Sequence, residues 1–402
     1  MSTPIDHAVT ALAGVVALCL SCPVAGQPSA SWFSTWAAPP VEAPAGTDFG
    51  GLTTREILHA TLGGSEVRIR ISNLYGSVPL TIGEAHIAVP TGPATIDTST
   101  DTALSFGGNA SVTIPVGAVA VSDATTFTVA ANSNYAISLY TPVSTGPATL
   151  HLYSSHDSYI AIGDQVSDAT MSDEYVVGTE VIFASGLDVN GTSGNTGIVA
   201  IGDSITDGYG SIFSSDSNWP DDLSDLLSAH YGTTWAVANA GIGGNTLLTN
   251  SGSEGGLARF DRDVFALPGT VEVIEAEGIN DLGEAGTNPF PSAADLIAGL
   301  KQMIDRAHEK GLVIYGATIT PCEGSYYFNE VFEQKRQLVN NFIRSGAAFD
   351  GYVDFDRAVR DPARPTRLFV AFDSGDHIHP NSFGYLAMAN MYPLNQSRRK
   401  KR

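Results

Sequence analysis

Hydrophobic and polar positions divide the chain into two regimes. From about Ser31 to Asn190, short apolar runs recur between clusters of Gly, Pro, Asn and Asp, and Glu66-Val67-Arg68-Ile69-Arg70-Ile71 alternates strictly. A period of two predicts strands with one buried and one wet face. Further strand-like runs lie at 80–88, 110–115, 126–129, 135–140, 148–153 and 180–184. Short strands at this spacing, with no helical period and no fixed repeat, predict a β-sandwich of jelly-roll type over residues 31–190. Gly63-Gly64-Ser65, between the strand-like Leu58-His59-Ala60-Thr61-Leu62 and the alternating run at 66–71, predicts a hairpin.

The stretch from Ser185 to Thr196 reads as a linker by composition. Beyond it the pattern becomes strand then helix, repeated. Strands are predicted at 197–201, 235–240, 271–277, 312–319 and 351–355, and helices at 219–230, 256–265, 293–310 and 328–345. Leu296, Leu300, Ile304 and Ala307 share one helical face, as packing on a sheet requires. Mostly apolar strands alternating with helices predict a parallel sheet covered on both faces, so residues 195–395 form an α/β domain.

Composition narrows the partners. With 43% hydrophobic residues in 402, both parts can bury cores. The formal net charge is −22, and five of the 20 basic residues sit in the tail at 398–402, so the body is more acidic still. That excludes nucleic acid and argues against anionic membranes as partners. The apolar run Ala8–Leu20 has the length of a signal peptide rather than a membrane span, although no Lys or Arg precedes it. Residues 1–26 are expected to be a cleaved signal, which makes the protein secreted. Cleavage removes Cys19 and Cys22 and leaves Cys322, expected as a small buried hydrophobe, with no disulfide. Sequons stand at Asn109, Asn190 and Asn395, and residues 396–402 form a basic tail.

Candidate chemistry gathers at predicted strand ends. An apolar strand stops at Gly202 and offers Asp203 and Ser204 at the edge where α/β sheets bind ligands. Alone, Gly-Asp-Ser reads as a helix cap or a turn; a nucleophile needs a base, an acid and oxyanion donors. Asn239–Thr246 holds three glycines in four positions, which let backbone N–H groups approach a ligand. Gly278-Ile279-Asn280-Asp281 offers a side-chain amide, for an oxyanion or for a cap. Asp373-Ser374-Gly375-Asp376-His377-Ile378-His379-Pro380 offers two acids and two histidines for one acid–base pair. No CxxC or HExxH accompanies them, so no metal is expected. His59, His86, His151, His230 and His308 read as surface or structural residues, and His156-Asp157 as a cleft contact.

These four blocks, in this order, resemble the SGNH or GDSL-type esterase and lipase superfamily, over the whole α/β part. The preceding β-part, beginning Ser34-Thr35-Trp36-Ala37, is similar to secreted two-domain members, among them acetylxylan-esterase-like and arylesterase proteins. The resemblance implies a flavodoxin-like three-layer α/β/α sandwich without cofactor. It implies Ser204 as nucleophile, His379 as general base and Asp376 as its orienting acid, the Pro380 spacing selecting these over His377 and Asp373. The implied oxyanion donors are the Ser204 and Gly244 N–H groups and the Asn280 side chain. Ile205 replaces the usual Leu, and Asn245 stands where many relatives carry Asp. The expected activity is hydrolysis of short acyl esters, of small molecules or of O-acetyl groups on polysaccharide. The alternatives are a lipase or lysophospholipase acting on longer chains, an acyltransferase outcome, and a catalytically idle carbohydrate-binding protein. Nothing in the sequence sets an oligomeric state.

Overall fold

The β-part begins with a strand that the rest of the molecule builds upon from both sides. The structure, a computed structural model, describes residues 31–283 and 291–394. The signal segment with Cys19 and Cys22, the Asn395 sequon and the basic tail lie outside the described residues. Strands β1 (Ser31–Ala37), β2 (Leu52–Ala60), β3 (Gly64–Ser72), β4 (Glu84–Ala88), β5 (Ser133–Thr141), β6 (Thr149–His151), β7 (Ser158–Ile162) and β8 (Ala184–Gly191) carry most of this part. One antiparallel sheet runs β1–β8–β3, with two short strands along β3; the other contains β7–β2–β5–β4. Val67, Ile69, Ile71 and Leu187 of the first share a core with Leu58, Ile137 and Leu139 of the second.

Two sequence expectations fail here. β2 and β3 form no hairpin: β2 pairs with β5 and β7, β3 with β8. Gly63 and Gly64 carry the chain from one sheet to the other. A Cβ on either would lie 2.7 Å from the Val129 carbonyl oxygen or 2.6 Å from that of Asn190, so the crossing needs glycine on steric grounds. The supposed linker is β8, an inner strand, whose Leu187 and Val189 are buried and whose Asp188 pairs with Arg70 at 2.8 Å. Its polar residues misled because Ser185, Asp188 and Asn190 find their partners on β3, in Arg70, Ser65 and Glu66.

In the α/β part, β9 (Thr196–Gly202), β10 (Trp235–Gly241), β11 (Thr270–Ala276), β12 (Val313–Ala317) and β13 (Gly351–Val353) form a parallel sheet in the order β10–β9–β11–β12–β13. This is the doubly wound order in which ligands bind beyond the carboxyl ends of the strands. Helices α1 (Ser204–Asp207), α2 (Trp219–Tyr231), α3 (Gly256–Phe260), α4 (Ile279–Gly283), α5 (Ala293–Glu309), α6 (Glu330–Arg344), α7 (Phe355–Val359) and α8 (Ser382–Ala389) complete it. α2 and α7 pack with α8, and α3 and α6 with α5. The predicted helix at 256–265 continues past α3 as a π-turn over Asp261–Phe265. α5 starts with a capping box between Ser292 and Asp295 and buries Leu296, Leu300, Ile304 and Ala307, the face its period predicted.

β10 is an edge strand, and edge strands invite foreign pairing. Here the β-part covers it. The Thr61 hydroxyl, just after β2, accepts the Val237 N–H at 3.0 Å, and Ala236 and Ile242 belong to the β-part's core. The Ser34 N–H of β1 also donates to the Pro268 carbonyl oxygen at 2.9 Å.

Candidate active site

β9 ends at Gly202 because the next turn folds back onto it. Asp203 caps α1, its Oδ1 accepting the Ile205 N–H at 2.9 Å, and Gly208 closes α1 with φ 109°. α1 therefore presents Ser204 as its first residue, where the N–H has no helical acceptor. The Ser204 hydroxyl lies 2.8 Å from His379 Nε2. His379 Nδ1 lies 2.5 Å from Asp376 Oδ2, while Asp376 Oδ1 accepts the N–H groups of Ile378 and His379 at 2.8 and 2.9 Å. Burial works against the charge on Asp376, but those N–H groups and the His379 ring together hold its carboxyl below the ordinary value. An ionised Asp376 fixes the proton on Nδ1 and frees Nε2 to accept from the serine.

The competing pair is placed elsewhere. His377, at φ 67°, bonds Asp373 at 2.6 Å and lies beside Gly324, in a groove with Glu323 and Arg364. The two acid–histidine pairs thus lie apart, and the pair that meets Ser204 is the one the resemblance selects.

Asn280, at the start of α4, donates its amide to the Asn245 carbonyl oxygen at 2.7 Å, and its Oδ1 accepts the Tyr327 hydroxyl at 2.9 Å. One amide hydrogen of Asn280 is left over. Gly244 has φ 71°, and among the described residues its N–H makes no hydrogen bond, whereas that of Gly243 is taken by Asp207 Oδ2 at 3.0 Å. Ser204, Gly243, Gly244, Asn280 and His379 line one open cleft of about 290 Å³, walled by Tyr209, Tyr326, Tyr327 and Ile378. The Tyr209 ring stands 4.7 Å from that of His379. All five sequence-predicted site residues are therefore brought together.

The sequence reading missed what holds them. Arg259 of α3 is wholly buried and donates to the carbonyl oxygens of Gly202 and Ala240, to Asn245 Oδ1 and to Glu277 Oε1, at 2.8–3.0 Å. One guanidinium thus ties the ends of β9 and β10 to the loops behind them, which its planar fork suits. This also accounts for Asn245: its oxygen accepts from Arg259 and its amide donates to Ser253 and to the Glu254 carbonyl oxygen, which a carboxylate cannot do. Asp281 accepts the Leu247 and Leu248 N–H groups at 2.8 and 3.0 Å. Burial, with Asp281 and Asp207 nearby, pushes Asp203 up to about 7. Cys322 is buried as expected, and burial pushes its thiol up to about 11. His156 lies not in this cleft but against Asp216, at 2.6 Å. Among the described residues no cluster of three or more His, Cys, Asp or Glu could hold a metal, and no helix is long and apolar enough to cross a membrane.

Residues 200–387 match the model of the GDSL-like Lipase/Acylhydrolase family. No curated protein matches the chain. Similar solved structures include a lipase/acylhydrolase from Enterococcus faecalis, at 20% identity and TM-score 0.39, covering 49% of this chain and 92% of that one. Another is a variant of an acetyl-xylooligosaccharide esterase from Geobacillus stearmophilus, at 22% identity and TM-score 0.39, covering 51% and 96%. A third is a GDSL-like lipase from Bacteroides thetaiotaomicron, at 20% identity and TM-score 0.37, covering 50% and 87%.

Proposed function

With residues 200–387 a GDSL-like lipase/acylhydrolase domain, and the chain thereby a carboxylic ester hydrolase, we propose that it cleaves short acyl esters through a covalent acyl-serine. The observation that carries this reading is the unbroken line Ser204–His379–Asp376, with contacts of 2.8 and 2.5 Å. His379 takes the Ser204 proton as the hydroxyl oxygen attacks the ester carbonyl, and Asp376 stabilises the imidazolium that forms. The Ser204 and Gly244 N–H groups and the Asn280 amide receive the oxyanion, each donor worth roughly 10²–10³ in rate. His379 then returns the proton to the leaving alcohol, and water activated by the same ring releases the acid.

The cleft, at about 290 Å³, is small and open, which favours a short acyl group. The exposed Tyr326 and half-exposed Tyr209 on its rim suit a sugar or aromatic alcohol, so O-acetyl groups of polysaccharide are the favoured substrate. On this reading residues 31–190 are a jelly-roll-like β-sandwich domain and 195–395 the hydrolase domain. The protein is secreted, in keeping with the apolar run at 8–20 and its acidic body.

The test is acetate release from p-nitrophenyl acetate and acetylated xylan, and turnover of longer-chain esters, by wild type and Ser204→Ala. The reading expects acetyl preference and a folded variant at least about 10⁴-fold slower. Undiminished turnover in Ser204→Ala would exclude the acyl-serine, and preference for long chains would replace the short-ester reading with a lipase.

A further inference from the structure

The β-part reaches the Gly-rich loop through a buried relay. His151, the last residue of β6, is buried, with Nδ1 3.0 Å from the Pro39 carbonyl oxygen and Nε2 3.0 Å from Asp207 Oδ1. A carbonyl oxygen only accepts, so Nδ1 carries a proton. Nε2 faces the Asp207 carboxyl, which burial raises while His151 and the Gly243 N–H favour its charge; an ionised Asp207 makes the ring an imidazolium. Burial disfavours that charge, but the Asp207 carboxylate outweighs it and holds the His151 ring above its ordinary value. The other Asp207 oxygen accepts the Gly243 N–H at 3.0 Å. Tyr153, two residues beyond His151, meets the same turn, its hydroxyl 3.3 Å from the Gly208 carbonyl oxygen.

We propose that His151 and Asp207 are positioning residues for ester hydrolysis: the ring holds the carboxylate, and the carboxylate holds the Gly243 peptide so that the next N–H, that of Gly244, faces the cleft. The inference rests on the reading of Gly244 as an oxyanion donor. Gly243 and Gly244 share one Cα–C–N link, so turning the first N–H inward limits where the second can point. Gly244 sits at φ 71° in a turn closed by the Asn245 N–H, which donates to the Ile242 carbonyl oxygen at 3.1 Å; its own N–H has no acceptor among the described residues, so its direction depends on that turn and on the Gly243 peptide before it. A donor displaced by an ångström loses much of its worth to the transition state.

Two nearly isosteric variants of the full chain separate positioning from mere stapling. In His151→Gln the amide nitrogen stands near Nε2 and keeps the bond to Asp207. In His151→Asn it stands near Nδ1 and keeps only the bond to Pro39. With p-nitrophenyl acetate, His151→Gln is expected to retain kcat within about 3-fold, while His151→Asn loses about 10-fold or more at a KM within about 2-fold. An alkylboronic acid, which mimics the tetrahedral intermediate, is expected to bind His151→Asn more weakly by the same factor as kcat/KM falls. Equal losses in both variants, of turnover or of folded protein, overturn the proposal. So does an effect confined to KM, or boronate affinity that does not follow kcat/KM. Ser204→Ala is assayed beside them. Turnover surviving there overturns the underlying reading and this proposal with it, whereas inactivity there without a Gln–Asn difference overturns this proposal alone.

Discussion

A carboxyl buried with one oxygen unpaired prefers to be neutral, and Glu275 on β11 is such a group among the described residues. Its Oε1 accepts the Glu277 N–H at 2.9 Å, and its Oε2 is buried with no hydrogen bond among the described residues. Burial, with Asp281 and Asp203 nearby, pushes it up to about 8. The folded chain then keeps a proton that the unfolded chain has lost. Stability therefore falls as pH rises from the ordinary glutamate value of 4.5 toward 8. Glu275→Gln removes this loss, so its stability relative to wild type should climb by roughly 3–4 kcal/mol between pH 5 and 8. Urea unfolding at four pH values checks it; a difference that stays flat with pH refutes it. At this scale the chain was only partly legible. Ser204 stood out at the end of a predicted strand, and the family resemblance singled out Asp376 and His379 from Asp373 and His377. Arg259 and His151 did not, because a buried arginine in a helix and a histidine ending a strand look like surface residues until their partners are known.

The Gly-rich block shows how an element constrains its residues unequally. At the end of β10, a Cβ on Gly241 would lie 2.3 Å from the Asp207 nitrogen, inside α1. On Gly243 the nearest atom would be Asp207 Oδ2 at 3.8 Å, an ordinary contact. Gly241→Ala should therefore shift α1 and with it Ser204, costing about 1–3 kcal/mol and most of the activity. Gly243→Ala should keep near-normal melting and turnover. Differential scanning calorimetry and esterase assays on both variants decide; equal behaviour would contradict the contact argument. Long periodic elements were legible for a physical reason: α5 buries the face its spacing marks. β8 was not, since Asp188 pairs with Arg70 and Asn190 bonds Ser65 and Glu66 on the neighbouring strand, and composition then reads as loop. The Gly63–Gly64 turn failed likewise, because a sheet-to-sheet crossing and a hairpin use the same residues.

At the level of the whole molecule, the α/β sheet depends on its neighbour for one edge. Residues 195–402 made alone would expose β10, whose Val237 N–H is met by Thr61 and whose Ala236 lies in the β-part's core. That fragment should aggregate or elute as large oligomers in size-exclusion chromatography; a soluble, monomeric and fully active fragment would refute the dependence. How the two parts join was the least legible feature, since contacts such as Thr61 with Val237 link positions far apart in the chain and leave no local pattern. The chain order gives this seam a role during synthesis. Domains emerge from the ribosome amino end first and fold as units. Every strand of the sandwich has left by Gly191, before β10 begins at Trp235. The edge strand of the α/β sheet is therefore synthesised only after the strands that cover it, so its cover is already present on the same chain when it emerges.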